Sequence, residues 1–343
     1  MRHLLNTLFV LTPETYLALE NENVVVFKDE NILGKFPLHT LEHIMYFGYK
    51  GASPALMGEC AKRNISLSFH KTNGKFLAKV NGITTGNVLL RKKQYRVSDS
   101  ESESYLLAKD FIIGKIFNAR SVIERTKRDH PLSVNVEKLK VASKRLLTSI
   151  KDIGTCSDLA KLRGIEGEAA KVYFSVFDEL ILQNKTTFKF AGRVKRPPLD
   201  NVNALLSFVY TILALDCATA LEAVGLDAYV GFLHRDRPGR ISLALDLMEE
   251  LRCIYADRFV LTMINNRMIN SGCFMKQENG AIILNDTGRK TVLTEWQNKK
   301  REIITHPFLG EKIAWGLITY VQALLLARYL RGDLERYPAF LWK

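Results

Sequence analysis

Apolar residues in the first 85 positions come in short runs. Thr15-Tyr-Leu-Ala-Leu19, Val24-Val-Val-Phe27 and Ile32-Leu-Gly-Lys-Phe36 are separated by Glu, Asn and Asp, the pattern of short strands joined by turns. Leu8-Phe-Val-Leu11 reads as a further strand. Ser66–His70 and Phe76–Val80 flank Thr72-Asn-Gly74, a hairpin signal. One helix is predicted between Ala52 and Lys62. After residue 100 the period becomes helical, over about 101–128, 134–151, 157–184, 201–223, 240–268, 287–302 and 310–331. Residues 273–284 break it: Glu278-Asn-Gly280 predicts a hairpin inside the helical region. Residues 86–100 turn basic and then polar, and the domain boundary is placed there. The fold predicted is α+β. A small N-terminal β-rich domain (1–90) precedes a larger all-α catalytic domain (91–343) with a short inserted hairpin.

Of the 343 residues, 47% are apolar and 25% charged, which suits two ordinary cores and excludes bulk disorder. The net charge of +13 points to a polyanionic partner: nucleic acid, an anionic membrane surface or an acidic protein. Five cysteines lie far apart with no Cys-x-x-Cys, which argues against structural zinc and for reduced thiols in a cytoplasm. The N-terminus shows no signal-peptide pattern. The longest apolar region, Ala204–Leu215, is short for a membrane span and is interrupted by Ser207, Tyr210 and Thr211, so a buried helix and no membrane association are expected.

The candidate chemistry lies where the helical pattern breaks its own rules. On the helix expected from a Ser157 N-cap, Leu159, Leu162, Ala169, Tyr173, Val176 and Leu180 share one arc. Glu166 falls on that arc and Glu168 on the opposite side. A buried-side carboxylate must find a cation or neutralise. Gly164 and Gly167 beside it each weaken the helix by roughly 1 kcal/mol. The competing reading is that Glu166 pairs with a nearby Arg or caps a broken helix. Asp246 lies i, i+3 from Glu249, within reach of one ion, although periodicity does not separate Glu249 from Glu250. The competing reading there is a solvated polar strip. His234 closes an apolar run just ahead of that helix and opens the cationic loop holding Arg235, Arg237 and Arg240. A Glu, a His and a carboxylate pair suit a hard divalent cation, with Mg²⁺ or Mn²⁺ expected and the imidazole favouring Mn²⁺. Further basic clusters are Arg193, Lys195 and Arg196 in a proline-stiffened loop, and Arg289 and Lys290. Taken singly each is an ordinary solvated face; together they suit a groove that follows phosphates. No Gly-x-Ser-x-Gly elbow or phosphate-binding glycine loop is present.

Leu162–Phe174, Arg196–Ser207, Gly231–His234 and Gly239–Arg252 together resemble, in order, the CRISPR-associated integrase, the larger subunit of the spacer-acquisition complex. The resemblance covers essentially the whole chain, and the ending Tyr337–Trp342 resembles the I-C-like branch. It implies an N-terminal β-domain that mediates homodimerisation and a helical catalytic domain. It also implies metal ligation by Glu166, His234 and Glu249, with Asp246 a further catalytic acid, and DNA contacts from the basic residues, including Arg163. The implied activity is endonuclease and integrase chemistry: transesterification that joins the 3′-hydroxyl ends of short foreign DNA to a CRISPR repeat. A small adaptor subunit is the implied partner. Asn201 stands where that family's pattern has a proline. The alternatives are a branched-DNA nuclease acting in repair and a non-catalytic DNA-binding scaffold.

Overall fold

The computed structural model describes residues 6–342 except 13, 64, 72–75, 81–87 and 195. The chain divides into two compact units, residues 1–85 with 284–302, and residues 86–283 with 303–343.

The first unit holds β1 (Asn6–Val10), β2 (Thr15–Glu20), β3 (Asn23–Lys28), β4 (Asn31–Pro37), β5 (Leu41–Phe47), α1 (Pro54–Lys62), β6 (Ser66–His70) and β7 (Phe76–Lys79). β2, β3 and β4 form an antiparallel meander. Its turns place Asn21, Glu22 and Asp29 at positive φ, which short polar-flanked hairpins demand. In the second sheet β1, β5 and β6 run parallel and β7 closes antiparallel on β6. The Thr72–Gly74 hairpin signal lies outside the described residues, but the strands it flanks pair as expected. Leu17, Val24, Ile44, Tyr46, Leu56 and Leu67 form the core, and the Tyr46 hydroxyl donates to the Thr15 carbonyl at 2.6 Å. α1 begins as its sequence dictates, with Ser53 accepting the Leu56 N–H and Pro54 in the first turn.

The second unit holds α2 (Val88–Asp99), α3 (Glu101–Asp129), α4 (Val136–Thr155), α5 (Leu159–Ser175), α6 (Asn201–Ala223), α7 (Ser242–Leu251) and α8 (Arg258–Asn265). The 86–100 stretch, expected to be a boundary, carries α2. Gln94 and Ser98 of α2 bond to the backbone of residues 227, 230 and 231. α3, 29 residues long, packs against α4, α5 and α7. α5 is capped by Asp158 rather than Ser157, and gives way after Ser175 to a short 3-10 turn, Phe177–Leu180. α6 is long and apolar enough to cross a membrane, yet 67% of its most apolar window is buried within the protein, as a core helix requires. Asn201 is its first residue and donates to the Thr187 carbonyl, work a proline there would leave undone. Between α7 and α8 the residues Arg252–Asp257 form a π-helical turn, a feature that recurs at functional sites.

The expected hairpin is present as β8 (Phe274–Lys276) and β9 (Ile282–Leu284). α9 (Asp286–Arg301) follows and clusters with the N-terminal unit, not with the helical domain to which a single cut near residue 90 assigns it. A second small hairpin, β10 (Ile303–Thr305) and β11 (Lys312–Ala314), leads to α10 (Ile318–Arg331). None of the five cysteines forms a disulfide.

Candidate functional site

α5 presents Glu166 half-buried and Glu168 exposed, as the apolar arc requires. Glu166 pairs with Lys115 of α3. The same Lys115 Nζ lies 2.7 Å from Glu249 Oε2, and Arg252 reaches Glu249 Oε1 at 2.8 Å. Two carboxylates from different helices therefore converge on one buried ammonium. Burial pushes the Glu249 carboxyl up, but Arg252 and Lys115 outweigh it and hold it down at about 2. Burial works against the Lys115 ammonium, and the two glutamates more than restore it, so its pKa stays above the ordinary lysine value.

His234 is fixed from behind. Its Nδ1 lies 2.6 Å from Asp246 Oδ1, and the fully buried Asp246 carboxylate also accepts the N–H groups of Phe232 (2.7 Å), Leu233 (2.9 Å) and His234 (3.0 Å). With Nδ1 taken up in this way, Nε2 is left to face a ligand. Asp246 has no lone pair to spare for an ion and acts as a positioning residue. Gly231 makes the cradle possible: a Cβ there would meet Asp246 Oδ2 at 2.9 Å, Ser242 Cβ at 2.9 Å and the His234 carbonyl at 3.0 Å. Arg163 clamps the same loop from α5, its guanidinium donating to the Leu233 carbonyl at 2.7 and 3.2 Å.

Glu250 faces away from this cluster. Its carboxylate accepts from the Tyr337 hydroxyl (2.5 Å), Gln322 Nε2 (2.9 Å) and the Phe340 N–H (2.7 Å). Asn118 extends that network, donating to the Glu250 and Phe340 carbonyls and accepting the Trp342 N–H. Packing separates Glu249 from Glu250: one faces Lys115, the other docks the 337–342 strap. Burial raises the Glu250 carboxyl to about 7 against its three hydrogen bonds.

The basic residues divide into two groups. Arg235 and Arg237 are exposed on the loop after His234, with Arg240 half-buried beside them, and Arg196 is exposed on its own loop. Arg193 is engaged within the fold, donating to Asn203 Oδ1 at 2.7 Å and Ser207 Oγ at 3.1 Å and lying over the Tyr210 ring. Lys195 lies outside the described residues. Arg289 and Lys290 stand on α9 of the N-terminal unit. Lys290 is exposed; Arg289 is buried, bonded to the Leu284 carbonyl and paired with Asp286, so it is a structural residue rather than a free phosphate contact.

Sequence reasoning missed Lys115 and Arg252. Lys115 was findable: it continues the arc Ala108, Phe111, Ile112, Ala119, Val122 on α3, the same fault in an apolar stripe that singles out Glu166.

The donor set has the chemistry of a divalent-cation site: two carboxylates already gathered around a positive charge, one of whose atoms, Glu249 Oε2, is buried without a hydrogen bond, and an imidazole oriented by a carboxylate. Among the described residues, however, no three His, Cys, Asp or Glu side chains stand close enough to share an ion. The cation position is occupied by the protein's own ammonium.

The arrangement of these helices and strands is a fold that solved structures share. A casposase bound to its integration product superposes with a TM-score of 0.83 at 22% identity, covering 98% of this chain and 93% of the casposase. A chain of a Cas6-RT-Cas1–Cas2 complex superposes with a TM-score of 0.81 at 22% identity, covering 98% of this chain and 36% of the other. The model of the family described as CRISPR associated protein Cas1 matches residues 8–298, and the "CRISPR-associated endonuclease Cas1 1" of Chlorobaculum tepidum is 48% identical over 343 residues, the whole of both chains. The chain belongs to the Cas1 family.

Proposed function

We propose that this protein is a metal-dependent DNA endonuclease and integrase. It joins the 3′-hydroxyl ends of short foreign DNA to a CRISPR repeat by transesterification, in the cytoplasm. The observation that carries the reading is the convergence of Glu166 and Glu249, from two helices, on one cation position. Two carboxylates gathered at a buried point are costly to hold, and a site built to receive a divalent cation accounts for that cost.

Glu166, Glu249 and His234 Nε2 are the residues that would hold the ion. Bound there, Mg²⁺ or Mn²⁺ supplies Lewis acidity to the scissile phosphate. The chain's own residues do the rest. Asp246 keeps the proton of His234 on Nδ1 and fixes the ring plane. Arg235, Arg237 and Arg240 lie on the loop that follows His234 and would hold phosphates without reading sequence.

The partners follow the same reading. A relative solved as a casposase is bound to its integration product, and another forms part of a complex with Cas2; DNA and a Cas2-like adaptor are proposed for this chain. A second copy is proposed to dock through the N-terminal unit, whose meander exposes Tyr16, Ile32, Leu33 and Phe36.

The test is strand transfer of a 3′-hydroxyl duplex into a supercoiled repeat plasmid with Mg²⁺ or Mn²⁺. Joining abolished by Glu166→Ala and by His234→Ala is expected. Nicking with no joined product, even with the adaptor added, would favour the plain nuclease. Activity unchanged in both variants would refute the site.

A further inference from the structure

The cation position between Glu166 and Glu249 holds a side chain with somewhere else to go. Lys115 also lines a small cavity of about 10 Å³, walled by apolar residues such as Ile116, Ala119 and Phe174 and by Tyr173 and Arg252. That is room for one water-sized group, which is the size of an ammonium. Asp257, from the π-helical turn, lines the same cavity. It is fully buried, and while its Oδ1 accepts from the Tyr210 hydroxyl at 2.5 Å, its Oδ2 makes no hydrogen bond of good geometry. The Tyr173 hydroxyl faces this carboxylate without good alignment, so its neighbours on the cavity side are neutral hydroxyls, and an arriving ammonium would give it a charged donor. At the first seat Lys115 donates to Glu166 and makes a charge contact with Glu249 Oε2.

We propose that Lys115 is a resident counter-cation with two seats: it holds Glu166 and Glu249 together before metal arrives, and swings into the cavity beside Asp257 when a divalent ion takes its place. This rests on the reading of Glu166 and Glu249 as metal ligands. The physical case is exclusion. Two cations do not share one point between the same two carboxylates, so the ion must displace the ammonium. Without Lys115 the two glutamates would face each other buried, with only Arg252 on the outer side of Glu249. The lysine therefore keeps the metal-free fold intact at the expense of apparent metal affinity. The ion binds only the fraction of molecules whose first seat is vacated.

The experiment is Mn²⁺ binding by calorimetry or by electron paramagnetic resonance of the free ion, on the full chain without DNA. Lys115→Met removes the charge and keeps the shape. It should bind Mn²⁺ about tenfold tighter or more, since no displacement is needed. Its thermal midpoint should also rise more on adding Mn²⁺ than that of the unaltered chain. If Lys115→Met fails to fold, Lys115→Gln is read by the same two measures. Asp257→Asn probes the second seat: it should weaken Mn²⁺ binding when Lys115 is present and leave it unchanged in the Lys115→Met background. Equal effects in both backgrounds would overturn the second seat. Unchanged or weaker binding in Lys115→Met, with binding lost in Glu166→Ala, would overturn the counter-cation role while leaving the metal site standing. Undiminished binding in Glu166→Ala would remove the metal site and this proposal with it.

Discussion

Asp246 holds His234 by both backbone and ring: one buried carboxylate accepts the His234 N–H at 3.0 Å and lies 2.6 Å from its Nδ1. Asp246→Asn retains the volume but loses half of this acceptor capacity and admits the wrong tautomer. Strand transfer is expected to fall about 10- to 100-fold. Folding stability should drop by about 1–3 kcal/mol as loop N–H groups lose their acceptor. Kinetics at saturating metal, together with chemical denaturation, check both. A normal rate with full stability would show that the ring needs no such hold.

The Gly231 cradle makes a second expectation. Gly231→Ala drives a methyl group against Asp246 Oδ2, Ser242 Cβ and the His234 carbonyl, so the loop must shift. Loss of activity of the same order as in Asp246→Asn is expected, with about 1–3 kcal/mol of destabilisation. Gly164→Ala is the matched control. It meets open space within α5 and should stabilise the helix by roughly 0.5–1 kcal/mol. Thermal melts of the two variants should therefore move in opposite directions.

Glu250 gives the stability a pH dependence whose sign is fixed. Its folded carboxyl is raised from 4.5 to about 7, so the folded protein holds a proton that the unfolded chain has released. This contribution is fully present below pH 4.5 and is lost as pH rises to about 7. Its size is about 3 kcal/mol across that window. Unfolding of the unaltered chain and of Glu250→Gln, compared from pH 4.5 to 7.5, should show the difference shifting by that amount against the unaltered chain. A difference that stays flat with pH would contradict it.

The exposed and buried arginines should part company on DNA. Arg235→Ala and Arg237→Ala are each expected to weaken duplex binding at low salt and to lower the salt slope by about one. Arg289→Ala should leave that slope alone and instead destabilise the N-terminal unit by about 1–3 kcal/mol, through lost packing of the buried side chain and the Leu284 carbonyl left without its donor. Fluorescence anisotropy at several salt concentrations separates the two effects.

Much of the fold was legible because it rests on local pattern. The strand turns, the 273–284 hairpin and the start of α6 follow from residues within a few positions of one another. Glu166 was legible for the same reason: one acid on an apolar arc is a visible fault. What escaped was partnership at long range. Charge alone does not reveal that Arg163 holds a carbonyl 70 residues away, or that Arg193 is locked to Asn203 and Ser207 while Arg235 is exposed. The amphipathic pattern of α9 announces that the helix packs, but not that it packs with the N-terminal unit. Glu249 and Glu250 look alike in sequence because they adjoin on one polar strip; Lys115 and Arg252 on one side and the strap from residue 337 on the other tell them apart.

That strap sets a timetable. Glu250 meets Phe340 across 90 positions, and Asn118 meets Phe340 and Trp342 across more than 220. While the chain is still emerging from a ribosome, α3 and α7 exist without the segment that satisfies Asn118 and Glu250. These two buried groups are therefore satisfied only once residues 337–342 have been made, so this part of the helical unit closes late in synthesis.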